Sequence, residues 1–193
     1  MAVSGVVGGI IAVLLIIVLL VVVLGLFLMF MYNSLVALRQ TVRNAWAQID
    51  VQLKRRHDLI PNLVNTVKGY AAHERETLQR VIDARASATR AQLPAQAIKA
   101  EGELSSALAR LMAVAESYPD LKANQNFLSL QEELVSTENK ISFSRQFYND
   151  SVTRYNTKVE TFPTVIFAGM FGFKPEALFE TSETEKQVPN VQF

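Results

Sequence analysis

The residues that could do chemistry are few. His73-Glu74 opens a pattern that binds zinc when a second histidine follows one helical turn later, because two imidazoles at that spacing share a helix face. Position 77 is Thr, and the only other histidine, His57, belongs to a different stretch, where it reads as an exposed or hydrogen-bonded helix residue. The chain has no Cys, which removes disulfides, thiolate metal sites and a Cys nucleophile and suits the reducing side of a membrane. Its glycines are scarce and scattered, so neither a phosphate-cradling loop nor a Ser nucleophile elbow is present, and no pair of carboxylates stands in a catalytic context. The expectation is a protein that is not an enzyme and takes no cofactor and no metal. Lys54-Arg55-Arg56 is the densest basic run, but three consecutive helical positions point in different directions and make no single patch. With a net charge of +1, nothing asks for nucleic acid.

What remains is a set of polar residues in the middle of otherwise apolar helical stripes: Arg56 in one stretch, and Thr137, Glu138, Ser144 and Arg145 in another. Buried charges persist only when paired, so this waist reads as a device for fixing register between helices or subunits, with Arg56 or Arg145 meeting Glu138. The competing reading is that Arg56, Glu138 and Arg145 reach the surface on their long stems.

The elements that must position these residues begin with Ala45 to Glu74. Val42, Ile49, Leu63 and Tyr70 recur every seven residues, and Trp46, Leu53, Ile60 and Val67 form a second column beside them, as in a helix buried along one long seam. Arg56 interrupts the first column. Pro61 either kinks a continuous helix or starts a new one capped by Asp58; the apolar register survives across it, which favours the kink.

Upstream, Val6 to Met31 is apolar apart from glycines and reaches roughly 39 Å as a helix, more than a bilayer core of about 30 Å. A cleaved signal peptide would show a basic start, a shorter apolar core and a cleavage site, and these are not convincing here. The stretch is expected to be a transmembrane anchor. Arg39, Arg43, Lys54, Arg55 and Arg56 follow it and no basic side chain precedes it, so the amino terminus is expected outside and the body in the cytoplasm. Tyr32 sits where an interfacial aromatic would.

Downstream, one helix is expected from His73 to about Gln92, ending near Leu93-Pro94, and another from about Ala97 to Tyr118, stopped by Pro119. Both are rich in alanine, which permits close approach of helices. A longer helix, from about Leu121 to Glu160, carries Phe127, Leu134, Ile141, Tyr148, Tyr155 and Phe162 at a spacing of seven. After Pro163, the run Phe162 to Phe173 is apolar. A chain that leaves the membrane on its first long helix and returns on its last should bring Phe167, Met170 and Phe171 near lipid, unless the run caps the end of its own bundle.

The words AWAQIDVQLKRRHDLIPNLV, TVKGYAAHE, LMAVAESYPDLKANQNF, LQEELVSTENKI and FYNDSVTRYNT, in this order, closely resemble the bacterial LemA family, and the match covers nearly the whole chain from Tyr32 to about Glu180. The resemblance implies a single-pass cell-membrane protein with a helical-bundle body and no established catalytic activity. It also implies relatives tied to membrane organisation and a genomic association with a membrane-bound heat-shock metalloprotease.

The fold expected is therefore all-α: a transmembrane anchor over residues 1–32, a long antiparallel helical bundle with coiled-coil-like seams over 33–180, and a disordered tail over 181–193. The function expected is a non-enzymatic, membrane-anchored scaffold in a bacterial inner membrane that self-associates and organises the bilayer or the proteins in it. The alternative is an adaptor of a membrane-bound stress protease. Partners would be the lipid bilayer, further copies of the chain and, in the alternative, that protease. Trp46, Tyr148 and Tyr155 join Arg56, Glu138 and Arg145 as interaction residues, and Tyr32, Phe167, Met170 and Phe171 are the membrane-proximal set.

Overall fold

The computed structural model describes residues 2–91 and 94–179, with side chains from residue 14 onward except that of residue 95. The tail expected over 181–193 and the helix boundary at Gln92-Leu93 lie outside the described residues. Six helices and no strand occur among the described residues: α1 (Ala2–Tyr70), α2 (Arg75–Arg90), α3 (Pro94–Ala115), α4 (Pro119–Lys122), α5 (Gln125–Glu160) and α6 (Thr164–Ala168). They fold as two compact units, and α1 and α5 contribute to both. One unit comprises Met1–Val42 with Thr153–Glu176, the other Arg43–Val152 with Ala177–Phe193.

In the second unit α1 runs unbroken through Pro61. A helical proline leaves the carbonyl four residues earlier without its donor, here that of His57. Arg85 of α2 supplies the replacement, its Nε donating to His57 O at 2.7 Å. The helix therefore survives its proline because a neighbouring helix satisfies the orphaned acceptor.

The seam columns pack as their spacing dictates except at their ends. Val42, Ile49, Leu53, Ile60, Leu63 and Val67 of α1 are buried, as are Phe127, Leu134, Ile141, Tyr148 and Tyr155 of α5, whereas Tyr70, the last residue of α1, is 44% exposed. Phe162 leaves its column and is exposed, because the chain has already turned out of helix at Thr161. In the second unit α1 and α5 run antiparallel in constant register: Trp46 meets Tyr148, Arg56 meets Glu138 and Tyr70 meets Asn124, each advance along α1 matched by an equal retreat along α5. On α3, Ala97, Leu104, Leu111 and Ala115 face inward.

The connections differ from expectation in two places. Pro94 opens α3, which runs to Ala115 rather than from about Ala97 to Tyr118. The fourth helix does not begin at Leu121. Tyr118 is extended, as a residue before proline must be, Pro119 opens the short α4, and a break at Ala123-Asn124 precedes α5. Asn124 is the reason α5 starts afresh. Its Oδ1 accepts from the Phe127 amide at 3.0 Å as an N-cap, while its Nδ2 donates to Tyr70 Oη at 2.9 Å.

In the first unit α1 changes character along its length. Its most apolar eighteen-residue window is only 6% buried and is long and apolar enough to cross a membrane. Burial starts at Met31 and Leu35. There the rings of Phe171 and Phe173 pack edge-on against Tyr32, with centroids 5.3 and 5.6 Å away, and the Arg39 guanidinium lies 4.8 Å over Phe173. The loop that delivers these rings closes on Gly172, whose φ of 74° suits a residue without Cβ. Phe173 N donates to Ala168 O and Gly172 N to Gly169 O, the paired bonds of a Schellman turn.

Candidate functional site

The bundle's centre is a charge network contributed by three helices. Arg56 is 1% exposed, although its column would normally hold an aliphatic residue there. Its Nη2 donates to Glu101 of α3, while Nη1 donates to Glu138 Oε2 of α5 at 2.6 Å and to Ser105 Oγ at 3.1 Å. The second Glu101 oxygen lies 2.6 Å from His57 Nε2. Arg56 thus has carboxylates from two helices on one planar group, each held by one charge-assisted hydrogen bond, stronger than a bond between neutral partners.

Burial works to raise the Glu101 carboxyl, but the His57 hydrogen bond and the adjacent Arg56 charge outweigh it and hold the group below the usual carboxylate range. Both its oxygens are engaged. A carboxylate so placed ties α3 to α1 through Arg56 and His57. An open groove of about 330 Å³ beside it is lined by Arg56, Ser105, Leu108, Ala109, Met112, Gln131, Leu134, Val135 and Glu138.

Arg56 and Glu138 are therefore brought together. Arg56 does not snorkel to the surface; Glu138, with 44% of its side chain exposed, does in part. Arg145 lies with its guanidinium 4.5 Å over the ring of Phe179. Trp46 is half-buried between Tyr148 and Phe179, at centroid distances of 5.5 and 6.3 Å. Tyr148 and Tyr155 are buried by the chain's own packing, so they, like Leu53 and Phe127, offer no exposed strip to a second copy. Of the membrane-proximal set, Tyr32, Met170 and Phe171 are exposed in part or almost wholly, and Phe167 is half-buried.

Sequence reasoning missed Glu101, although a signal existed: it falls inside the α3 stripe of Ala97, Leu104 and Leu111, as Arg56 falls inside its own. It also missed two asparagines of α5. Asn149 brackets Phe179, accepting from its amide at 2.7 Å and donating to its carbonyl at 3.0 Å. Asn156 does the same to Glu176, at 2.9 and 2.8 Å. Each side-chain amide takes the place of a neighbouring strand for the extended backbone it holds.

A membrane-length apolar helix that continues into an antiparallel bundle, with a buried arginine tied to two glutamates at its waist, defines a membrane-associated helical protein. The chain belongs to the LemA family, whose sequence profile matches residues 45–193. It is similar to magnetosome protein MamQ 2 of Paramagnetospirillum magneticum, 27% identical over 79% of this chain and 66% of that one. Protein LemA of Metamycoplasma hominis is 27% identical over 80% of this chain and 71% of its own length. Magnetosome protein MamQ of Magnetospirillum gryphiswaldense is 26% identical over 76% and 64%. The chain spans just under two thirds of the length of the magnetosome relatives.

Proposed function

We propose that the protein is a non-enzymatic scaffold, anchored by α1 in a bacterial inner membrane with its amino terminus outside and its bundle in the cytoplasm, that self-associates and so organises the bilayer or the proteins in it. The observation that carries this reading is large apolar side chains left exposed on the bundle. Phe143 and Phe147 stand one turn apart on α5, the first 75% exposed, and Val51, at the level of Phe143 on the paired helix, is 63% exposed. Large side chains exposed one turn apart on one helix, as Phe143 and Phe147 are, suit an interface. The basic residues that follow the apolar stretch favour the orientation. The magnetosome relatives are tied by name to a structure rather than to a reaction, which accords with a scaffold.

The test is the mass of the full-length protein extracted in mild detergent, beside a Phe143→Ser, Phe147→Ser variant. The parent is expected as a homomeric assembly and the variant as a smaller species of unchanged helicity. A monomeric parent overturns the scaffold. A parent that co-purifies with a stoichiometric second protein supports the adaptor instead.

A further inference from the structure

The apolar stretch of α1 is longer than a membrane requires. Between Leu14 and Leu38 no side chain is charged, a length of about 37 Å at 1.5 Å per residue against a hydrocarbon core of about 30 Å. The excess falls where burial begins, at Met31 and Leu35. Residues 162–173, which include α6 and its Schellman turn, contain no charged side chain either, and they present two faces. Thr164, Ala168 and Phe173 are buried, and Phe171 and Phe173 lie against Tyr32. Facing away are Phe162, Val165, Ile166 and Met170, the last 79% exposed.

Resting on the reading of α1 as a membrane span, we propose that this collar is a second lipid-contacting element, its outer face seated in the interfacial layer of the leaflet from which α1 emerges. Two arguments select lipid as the occupant. First, α1 is exposed all round from Leu14 to Phe30, with only partial cover at Leu28, so a segment held against Tyr32 adjoins the bilayer on whichever side of the helix it lies. Second, the collar's rings pack on Tyr32, two residues beyond the exposed Phe30 of α1, while Arg39 lies over Phe173 and Lys174 follows it, basic groups that an interfacial layer accommodates. A segment of this length cannot span, but its side chains reach about 5–10 Å into the headgroup and acyl boundary.

Because the chain lacks Cys, single reporters are available in the full-length protein. An environment-sensitive fluorophore is placed at Ile166→Cys, at Met170→Cys, at Leu20→Cys within the span and at Val135→Cys on the exposed bundle surface. Each variant is reconstituted in mixed phosphatidylcholine and phosphatidylglycerol vesicles and read with aqueous iodide on both sides and with lipids carrying a nitroxide close to the headgroup. The labels at 166 and 170 are expected to be quenched by the shallow nitroxide and to lose iodide quenching several-fold relative to the label at 135. If they behave like the label at 135 while that at 20 is shielded from iodide, the collar stands in water and the proposal is overturned. Protection from both quenchers means that a second copy covers the face, which also overturns it. Iodide access at 20 would instead bring down the membrane span itself.

Discussion

At its waist the bundle buries a guanidinium against carboxylates from two other helices, whereas around Tyr32 the other unit packs mainly rings and a hydrogen-bonded turn, with the half-buried Arg39 lying over a ring rather than against a carboxylate. Both places meet α1, yet they hold it by different physics. The waist is directional: a charge pair removed from water is worth little net stability over an apolar filling, but losing one partner is severe. The collar is non-directional, its contribution following the apolar area removed from water and tolerating small displacements. Fixing register is a task for the first kind of contact, and covering an apolar overrun suits the second.

The comparison breaks most sharply at Arg56. Arg56→Ala leaves Glu101 buried without its cation and should cost about 3–5 kcal/mol of bundle stability in denaturant titrations. Arg56→Met combined with Glu101→Leu should recover most of that loss. A double variant as unstable as the single would mean that packing, not unpaired charge, dominates the waist.

A smaller effect is expected from acid. Glu101 is held below its ordinary value of 4.5, so above that pH its contribution is fully present, and it is lost as pH falls from about 4.5 through the lower folded value. Unfolding midpoints measured across that window should fall more steeply for the parent than for Glu101→Gln. Equal slopes would remove Glu101 from the acid response.

The smallest effect belongs to the collar's outer face. Met170→Ser changes an exposed side chain and should alter stability in detergent by no more than about 0.5 kcal/mol. A large loss would show that this face, too, is core, and the contrast between the two regions would fail.

Much of this was legible beforehand for a physical reason. A seven-residue apolar period describes a buried helix face wherever it occurs, and the columns through Ile49 and Leu63 and through Leu134 and Ile141 pack as their spacing dictates. The continuity of α1 through Pro61 was legible only in part, since the register of the stripe favours it but the donor that permits it, Arg85, comes from another helix. Glu101 was legible as a break in the α3 stripe of Ala97, Leu104 and Leu111 but was overlooked, whereas the short α4 was hidden because Pro119 marks where a helix can start and not how long it runs. Asn149 and Asn156 were hidden for a different reason: their partners are backbone groups of Phe179 and Glu176, and a main-chain acceptor leaves no trace in a pattern of side chains.

The clasp around Phe179 has an optical consequence. Trp46 is the chain's only tryptophan, and Tyr148 and Phe179 flank its indole, with the Arg145 guanidinium lying over the Phe179 ring. Unseating Phe179 would admit water to the indole and move its emission to the red, while the nearby Tyr148 would still pass its excitation to it. The protein thus carries an intrinsic gauge of whether Asn149 holds its segment, readable in a lipid vesicle without any attached dye.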